Sequence, residues 1–267
     1  MTHKINLKIG DKPDLRWVPI DLIDSDKAYQ RDVVQHRVSQ ILREFSWEKF
    51  GALILAEQPS GRFHVYDGQH RHLAAKLHPS IDEVPAVVST LAHTAEEAAA
   101  FLGVNTSRTA VGPVQKYWAG VMAGDADSLR VRSVLEKAGC AVAGEPGETG
   151  HNRTNAVSAV ARAIKTYGDA AVVFACSALS EGWRSDQKAQ KGTMITALAR
   201  LHRSNEHISR ERVLKVLGSH DRDALSGNAE TLRRISGGDA PTAIAKTFCE
   251  LYNKGLQKGQ IFIGARS

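Results

Sequence analysis

The sequence is poor in the features that would take it out of an ordinary aqueous, reducing setting. It has three cysteines in 267 residues, Cys140, Cys176 and Cys249. They are odd in number and far apart, which argues against a disulfide framework and a cysteine metal site. They are expected to be reduced thiols, in the core or at the surface, of a cytoplasmic protein. No apolar run approaches the roughly 18 residues of a membrane-spanning helix, so no membrane partner is expected. The first ten residues, MTHKINLKIG, lack an apolar h-region, so no secretory signal is expected there. Aromatics make up only 6% of the chain, and no stacking platform for single strands is evident. There is no internal repeat and no low-complexity tract.

Apolar residues reach 42%, enough for a substantial core. The net charge of +6 is unevenly placed. Residues 1–110 hold 13 Lys/Arg against 14 Asp/Glu, a balance of −1, whereas residues 111–267 hold 22 against 15, a balance of +7. A basic surface concentrates polyanions without regard to sequence, so DNA is an expected partner of the second half.

The hydrophobic pattern changes along the chain as well. Val34, Val38, Ile41, Leu42 and Phe45 form one stripe of an amphipathic helix. The apolar run 52–56, the turn signal Pro59-Ser60-Gly61 and the alternation of Phe63 and Val65 predict a hairpin. A helix carrying Leu73, Ala74 and Leu77 follows at once, then a short strand at 84–88. Thr94-Ala95-Glu96-Glu97 reads as a capping box opening a helix to about Val104. Beyond residue 111 helix follows helix, at roughly 113–123, 126–138, 155–167, 169–182, 186–203, 209–217, 225–236 and 241–256. Residues 144–152 are Gly-, Pro- and polar-rich, and are the best loop or hinge candidate. The expected class is α+β: a mixed α/β domain over 1–112, then an all-helical domain over 113–267.

The strongest local signal is the strand–Asp67-Gly68–helix junction. Gly68 permits a tight turn and close backbone approach. The amides after it, at a helix N-terminus, present N–H groups and a positive dipole end to an anion. Arg71, in the first turn, can grip a phosphate bidentately or form an ordinary salt bridge. Asp67 can cap the helix, hold a metal or bind a hydroxyl. Gln69 can orient a water, and Asp67 or His70 can accept a proton, which makes these three the catalytic candidates. His70 and His72 lie on different sides of the helix start, which disfavours a two-histidine metal site.

The block 65–75 (VYDGQHRHLAA) resembles the central motif of the ParB/sulfiredoxin superfamily. Gly68, His70 and Arg71 match the sulfiredoxin form, but Gln69 stands where the reactive cysteine belongs. An amide cannot replace a thiol nucleophile, so sulfiredoxin activity is not expected, while phosphate binding survives the change. Tyr29-Gln30-Arg31, ahead of the first amphipathic helix, is similar to the segment preceding the nucleotide pocket of partition proteins. The run 101–113 (FLGVNTSRTAVGP) resembles their Glu-Asn-x-x-Arg-x-x-Leu-x-Pro element through Asn105, Arg108 and Pro113. The glutamate position is Val104, a departure that weakens metal-assisted hydrolysis, since Mg²⁺ wants hard oxygen ligands. The resemblance covers about residues 15–115 and is of the DGQHR type, known from phages and mobile elements. It implies a ParB-like N-terminal domain that binds a nucleoside triphosphate, CTP or ATP, with Mg²⁺ as a candidate ion. It assigns phosphate contacts to Gln30, Arg31, Gly68, Gln69, His70, Arg71 and Arg108. Asn105 and Asp67 are the metal candidates, and nucleotide-driven closure of a homodimer is implied.

The second half has no such fingerprint. Residues 208–217 and 222–235 around Gly218-Ser219-His220-Asp221 can be read as a helix–turn–helix offering Arg222, Arg233 and Arg234 to DNA, or as ordinary bundle packing. The polar run 183–191 (WRSDQKAQK) brings Arg184, Lys188 and Lys191 as further phosphate contacts. Tyr117, Trp118 and Tyr252 are expected in the core or an interface. Three readings result: a nucleotide-switched DNA-binding protein; an enzyme on the same pocket (nuclease, NTP hydrolase or phosphotransferase); or an interaction adaptor with a degenerate pocket. A two-metal nuclease would need more carboxylates than the motif supplies, and Asp21, Asp24 and Asp26 are the acids nearest in sequence to supply them.

Overall fold

Short β-branched and aromatic runs build a five-stranded sheet in the first part of the chain. The computed structural model describes residues 7, 9–25, 33–91, 96, 100, 104 and 111–264. The chain divides into two units, Met1–Ala110 and Val111–Ser267. The class is α+β, with strands and helices mixed in the first unit and helices dominating the second. In the first unit β1 (Asp14–Pro19) runs through a 3₁₀ turn (Ile20–Leu22) into β2 (Ile23–Asp24). Then come α1 (Gln35–Arg43), α2 (Trp47–Phe50), β3 (Leu53–Glu57), β4 (Phe63–Asp67), α3 (Gln69–Leu77) and β5 (Glu83–Thr90). The sheet order is β1-β5-β3-β4-β2. β3 and β5 pair in parallel, as do β2 and β4, while β1–β5 and β3–β4 are antiparallel. The segment read as a capping box and helix from residue 94 falls mostly outside the described residues.

The predicted hairpin is β3–β4, its turn closed by the Gln58 amide donating to the Arg62 carbonyl at 2.8 Å. Strict alternation fails at its end. Pairing passes from Ile54↔Asp67 to Leu55↔Val65, so Tyr66 is one residue more than β3 can match. Such a bulge turns the strand and re-aims the residues beyond it. Val65 and Tyr66 are both buried as a result, and Asp67 is carried to the mouth of the turn. Arg62 reaches across to Asp24 (Nε to Oδ2, 2.5 Å; Nη2 to Oδ1, 2.9 Å), tying β2 beside β4. That bond holds the Asp24 carboxyl below the usual carboxylate range. Asp24 is thus committed away from any metal site, and Asp26 lies outside the described residues.

Packing corrects the reading of α3. Leu77, expected on its buried stripe, is 64% exposed, whereas His72, Ala74 and Ala75 are buried. Pro79 forces His78 into an extended conformation and stops the helix at Leu77. Meanwhile α1 and the Ile20–Leu22 turn both pack on α3 and cover a wider arc of it.

The second unit carries α4 (Pro113–Met122), α5 (Ala126–Lys137), α6 (Val157–Tyr167), α7 (Asp169–Gly182), α8 (Gly192–Ser204), α9 (Arg210–Ser219), α10 (Arg222–Ser236) and α11 (Ala240–Asn253). Caps that the sequence encodes start several of them. The Asp125 side chain accepts from the Ser128 amide, Ser209 from Arg212 and Asp239 from Thr242. α7 and α8 pack together at the centre of one hydrophobic cluster. All three cysteines are buried and unpaired, and burial pushes Cys140 and Cys249 up to about 11. Tyr117 and Tyr252 are in the core, while half-buried Trp118 donates its indole N–H to the Ala143 carbonyl at 2.8 Å. Among the described residues no helix is long and apolar enough to cross a membrane.

One expectation changes here. The helix read from 186 begins at Gly192, because residues 183–190 form turns. Those turns are held by side chains, with Asp186 taking the Lys188 amide (2.8 Å) and Arg222 (2.5 Å). Residues 144–152, the loop or hinge candidate, are a tethered loop. A two-residue parallel pair, Ala141–Val142 with Arg153–Thr154, closes its base. Glu148 accepts from the Gly144 amide, Asn155 from the Gly147 amide at 3.1 Å, and the Gly150 amide donates to the Gln187 carbonyl at 2.9 Å.

His72 generates a pH prediction. It is 3% exposed, and its ring nitrogens have no hydrogen-bond partner among the described residues; the Ile20 backbone approaches without reaching bonding geometry. Burial chiefly, with Lys76 nearby, lowers its pKa to about 4. The unfolded chain, with a histidine near 6.5, therefore binds the proton more tightly than the folded one. Stability of the first unit is full above about pH 6.5 and falls as pH drops toward 4, by about 2 kcal/mol between pH 7 and 5. Urea unfolding at the two pH values should show this loss in the wild type and little of it in His72→Leu.

Candidate functional site

The bulge in β4, Gly68 and the start of α3 together make the candidate site. Gly68 sits at φ +100°, ψ 18°, in the left-handed region, as the residue that caps α3. A Cβ there would stand 2.5 Å from Leu53 Cδ2 and 3.0 Å from Arg71 Nη2. Glycine is thus required twice over, by its conformation and by its neighbours. Because the cap is a glycine, the N-cap residue itself offers no side chain to the first amides of α3. The nine-residue helix opens with its positive dipole end at the turn.

Arg71 is less a free grip than the sequence allows. Its Nη1 donates to the Phe50 carbonyl at 2.6 Å and to the Ala52 carbonyl at 3.1 Å. Its Nη2 pairs with Asp67 Oδ2 at 3.3 Å. The guanidinium therefore staples the turn to the chain between α2 and β3. Asp67, a candidate metal ligand and base, faces this cation from one turn back. His70 is also engaged, since its Nε2 accepts the Val34 amide at 3.1 Å and so ties the site to the start of α1. That lone pair is the one a general base would use, and the bond fixes the proton on Nδ1. Gln69 is half-buried at the first helical position. Gln30, Arg31, Asn105 and Arg108 lie outside the described residues, so only Gly68, Gln69, His70 and Arg71 of the phosphate set can be placed. No group of three His, Cys, Asp or Glu among the described residues is arranged to hold a metal.

The DNA candidates of the second unit separate into two kinds. Arg184, Lys188 and Lys191 are exposed. Arg222 is not available at the surface: its side chain is 6% exposed and ion-paired with Asp186 (2.5 Å) and Asp223 (2.6 Å). Arg233 is held in a fork by Glu230 at 2.8 Å through both Nε and Nη2, and the more exposed Arg234 leans on the same carboxylate at 3.6 Å. Of the two helices in the helix–turn–helix reading, α9 and α10, which adjoin across His220 and Asp221, α9 packs chiefly on α7 and α10 on α11. Trp183, in the core, bridges that turn by donating its indole N–H to the Leu217 and His220 carbonyls, both at 2.9 Å. Sequence reasoning missed Arg153, which stands exposed beside the tethered loop, because an isolated arginine in a Gly-rich stretch carries no signal.

Set beside known proteins, residues 25–223 match a family model described as "Family of unknown function (DUF6551)". No curated protein matches the chain. Two solved structures of the C-terminally truncated chromosome-partitioning protein ParB from Caulobacter crescentus are similar to it. The one complexed with CTP-γ-S is 14% identical, over 88% of this chain and 98% of that one, with a TM-score of 0.35. The one complexed to the centromeric parS site is 13% identical, over 87% and 98%, with a TM-score of 0.31.

The bonding of Arg71 fixes what its removal does. Arg71→Ala leaves two carbonyls and a carboxylate without their cation and should cost the first unit about 2–3 kcal/mol. Arg71→Lys should recover only part of it, because one ammonium cannot span three acceptors as a fork does. Thermal unfolding of both variants beside the wild type checks the order wild type, Lys, Ala; equal stability of all three would show the staple to be idle.

Proposed function

We propose that this chain, which belongs to the family of unknown function DUF6551, is a ParB-like nucleotide-binding protein that associates with DNA. The nucleotide, CTP or ATP, acts as the switch. The observation that carries the reading is the N-terminus of α3, which opens behind a left-handed glycine whose Cβ would collide with Leu53. A helix start with its positive dipole end at a glycine turn that lets another chain or ligand approach closely suits phosphate oxygens. Gly68, His70 and Arg71 there are among the residues through which the sequence resembles the ParB/sulfiredoxin superfamily, with Gln69 between them in place of the sulfiredoxin cysteine. Association with DNA is supported by the +7 balance of residues 111–267 and by the exposure of Arg184, Lys188 and Lys191.

Binding is favoured over turnover by the same geometry. Asp67 faces Arg71, and the Nε2 of His70 is occupied by a backbone amide, so neither is poised as a base. Where the similar element of partition proteins has its glutamate, this sequence has Val104. Arg71 in this reading shapes the phosphate site by holding Phe50 and Ala52 against the turn, and Mg²⁺, if it accompanies the nucleotide, is brought with the phosphates.

The test must separate binding from folding, which Arg71→Ala does not. Gln69→Glu does: a carboxylate at the first helical position favours the helix dipole yet repels phosphate. Titration calorimetry with CTP, ATP, GTP and UTP plus Mg²⁺ should find binding of CTP or ATP. Gln69→Glu should weaken it at least about tenfold, or about 1.4 kcal/mol, at unchanged melting temperature. Absence of heat with all four nucleotides, with and without DNA, would refute the nucleotide reading.

A further inference from the structure

We propose that a basic cavity between the tethered loop and the start of α8 is the place where the second unit takes up phosphate groups of a DNA backbone. The inference rests on the DNA half of the function proposed above and gives that half an address. The cavity is about 300 Å³, room for a phosphate and part of its sugar. Arg153, Lys188 and Lys191 line it, against one carboxylate, Glu148, which stands 3.8 Å from Arg153. Three cations and one anion leave a net charge of +2 around the opening.

Two helix ends add to that field. Ala156 caps α6 and Lys191 caps α8, and both residues line the cavity. Neither helix receives a side-chain cap, so both positive ends open on the same space. Gly192 permits the convergence: a Cβ there would stand 2.7 Å from Ala159 Cβ and 2.9 Å from Ala156 Cβ, so only glycine lets the start of α8 lie against the first turn of α6.

The cavity also contains an unmet need. Gln190, on its wall, is 4% exposed. Its Nε2 spends both hydrogens on the His151 and Cys176 carbonyls, at 3.2 and 2.9 Å. The amide orientation is thereby fixed, and Oε1 is left buried without a partner among the described residues. A buried acceptor on a residue that lines a positively charged cavity is met by a ligand that brings an O–H, or an ordered water, beside its negative charge. A nucleic-acid backbone does so through the water that hydrates its phosphates. A free phosphate monoester shares this chemistry, and the experiment separates the two sources.

Fluorescence anisotropy of a labelled DNA duplex, with the full chain, gives the affinity and its salt dependence. Lys188→Gln/Lys191→Gln should weaken binding about tenfold or more near 50 mM salt. It should also make the log–log salt slope shallower by about 2, at about 0.9 for each phosphate no longer neutralised. Exposed Lys137 and Lys246 of the same unit supply a charge-matched control, and Lys137→Gln/Lys246→Gln should leave the slope near wild type. Unchanged melting temperatures establish that each variant folds. Equal losses in the two double variants, or no loss in the first, would overturn the inference while DNA association stood. No binding of the duplex by the wild type would overturn the inference together with the DNA half of the proposed function, and the nucleotide titration judges the other half. Displacement of the duplex by inorganic phosphate, beyond that by chloride of matched ionic strength, would give the cavity to free phosphate and overturn its assignment to DNA.

Discussion

The first unit depends on one guanidinium. Arg71 joins three pieces of chain at a single point: the end of β4 through Asp67, the end of α2 through Phe50, and the start of β3 through Ala52. Two of its acceptors are backbone carbonyls next to Gly51, which lies at φ +64° and offers no strand ladder of its own. Buried or half-buried carbonyls must find donors, and an arginine one turn into a helix is a rigid way to deliver two. The turn at Gly68 results from this. With Leu53 and the guanidinium packed against it, no side chain fits at that position, and α3 starts behind a glycine that offers no cap of its own. The interaction that closes the fold thus also dictates how α3 begins.

The second unit uses the same device in a different place. Arg222 carries its charge into the interior and meets Asp186 there, while Trp183 bonds two carbonyls at the α9–α10 turn. Between them they bend residues 183–190 away from helix and set the start of α8 at Gly192. Gln190 and Thr154 complete the arrangement, the Thr154 hydroxyl donating to the Gln190 carbonyl at 2.9 Å. Breaking a buried charge pair leaves the other charge uncompensated, so these turns are held firmly although they have no regular structure. A stretch that looks in sequence like a solvated charge run is therefore half scaffold and half surface, and the surface half is what surrounds the cavity.

Periodicity made the elements legible. The α1 stripe, the Pro59-Ser60-Gly61 hairpin and the helices of the second half appear close to where spacing and turn residues put them, except α8, which starts at Gly192 and not at 186. The α/β-then-helical order was legible from the shift in pattern and charge near residue 111. What failed has physical reasons. Tyr66 broke the alternation because a bulge has no sequence period. His72 looked polar and proved buried, because its environment comes from α1 and the Ile20–Leu22 turn, far away in sequence. At the Gly68 turn, the motif carried no sign of the bonds that Asp67, His70 and Arg71 make there. Those depend on Val34, Phe50 and Ala52, whose backbone atoms carry no side-chain signature at all.

Across both units the basic residues sort by chemistry more than by position. Arg71 and Arg222, chosen from the sequence as ligands for phosphate or DNA, are consumed by carbonyls and carboxylates of the chain itself, and Arg233 is held by Glu230. Lys188 and Lys191, chosen on weaker grounds, remain exposed. A planar fork with five donors and weak hydration is suited to satisfying several fixed acceptors at once, so folding recruits arginine inward. A compact ammonium is strongly hydrated and stays out on its flexible stem. The exposed lysines stand beside the starts of α6 and α8, and Arg153, only loosely tied to Glu148 at 3.8 Å, is the arginine that keeps them company. The charge that folds the protein and the charge it offers outward are carried by different residues, and the cavity beside α8 is where the second kind collects.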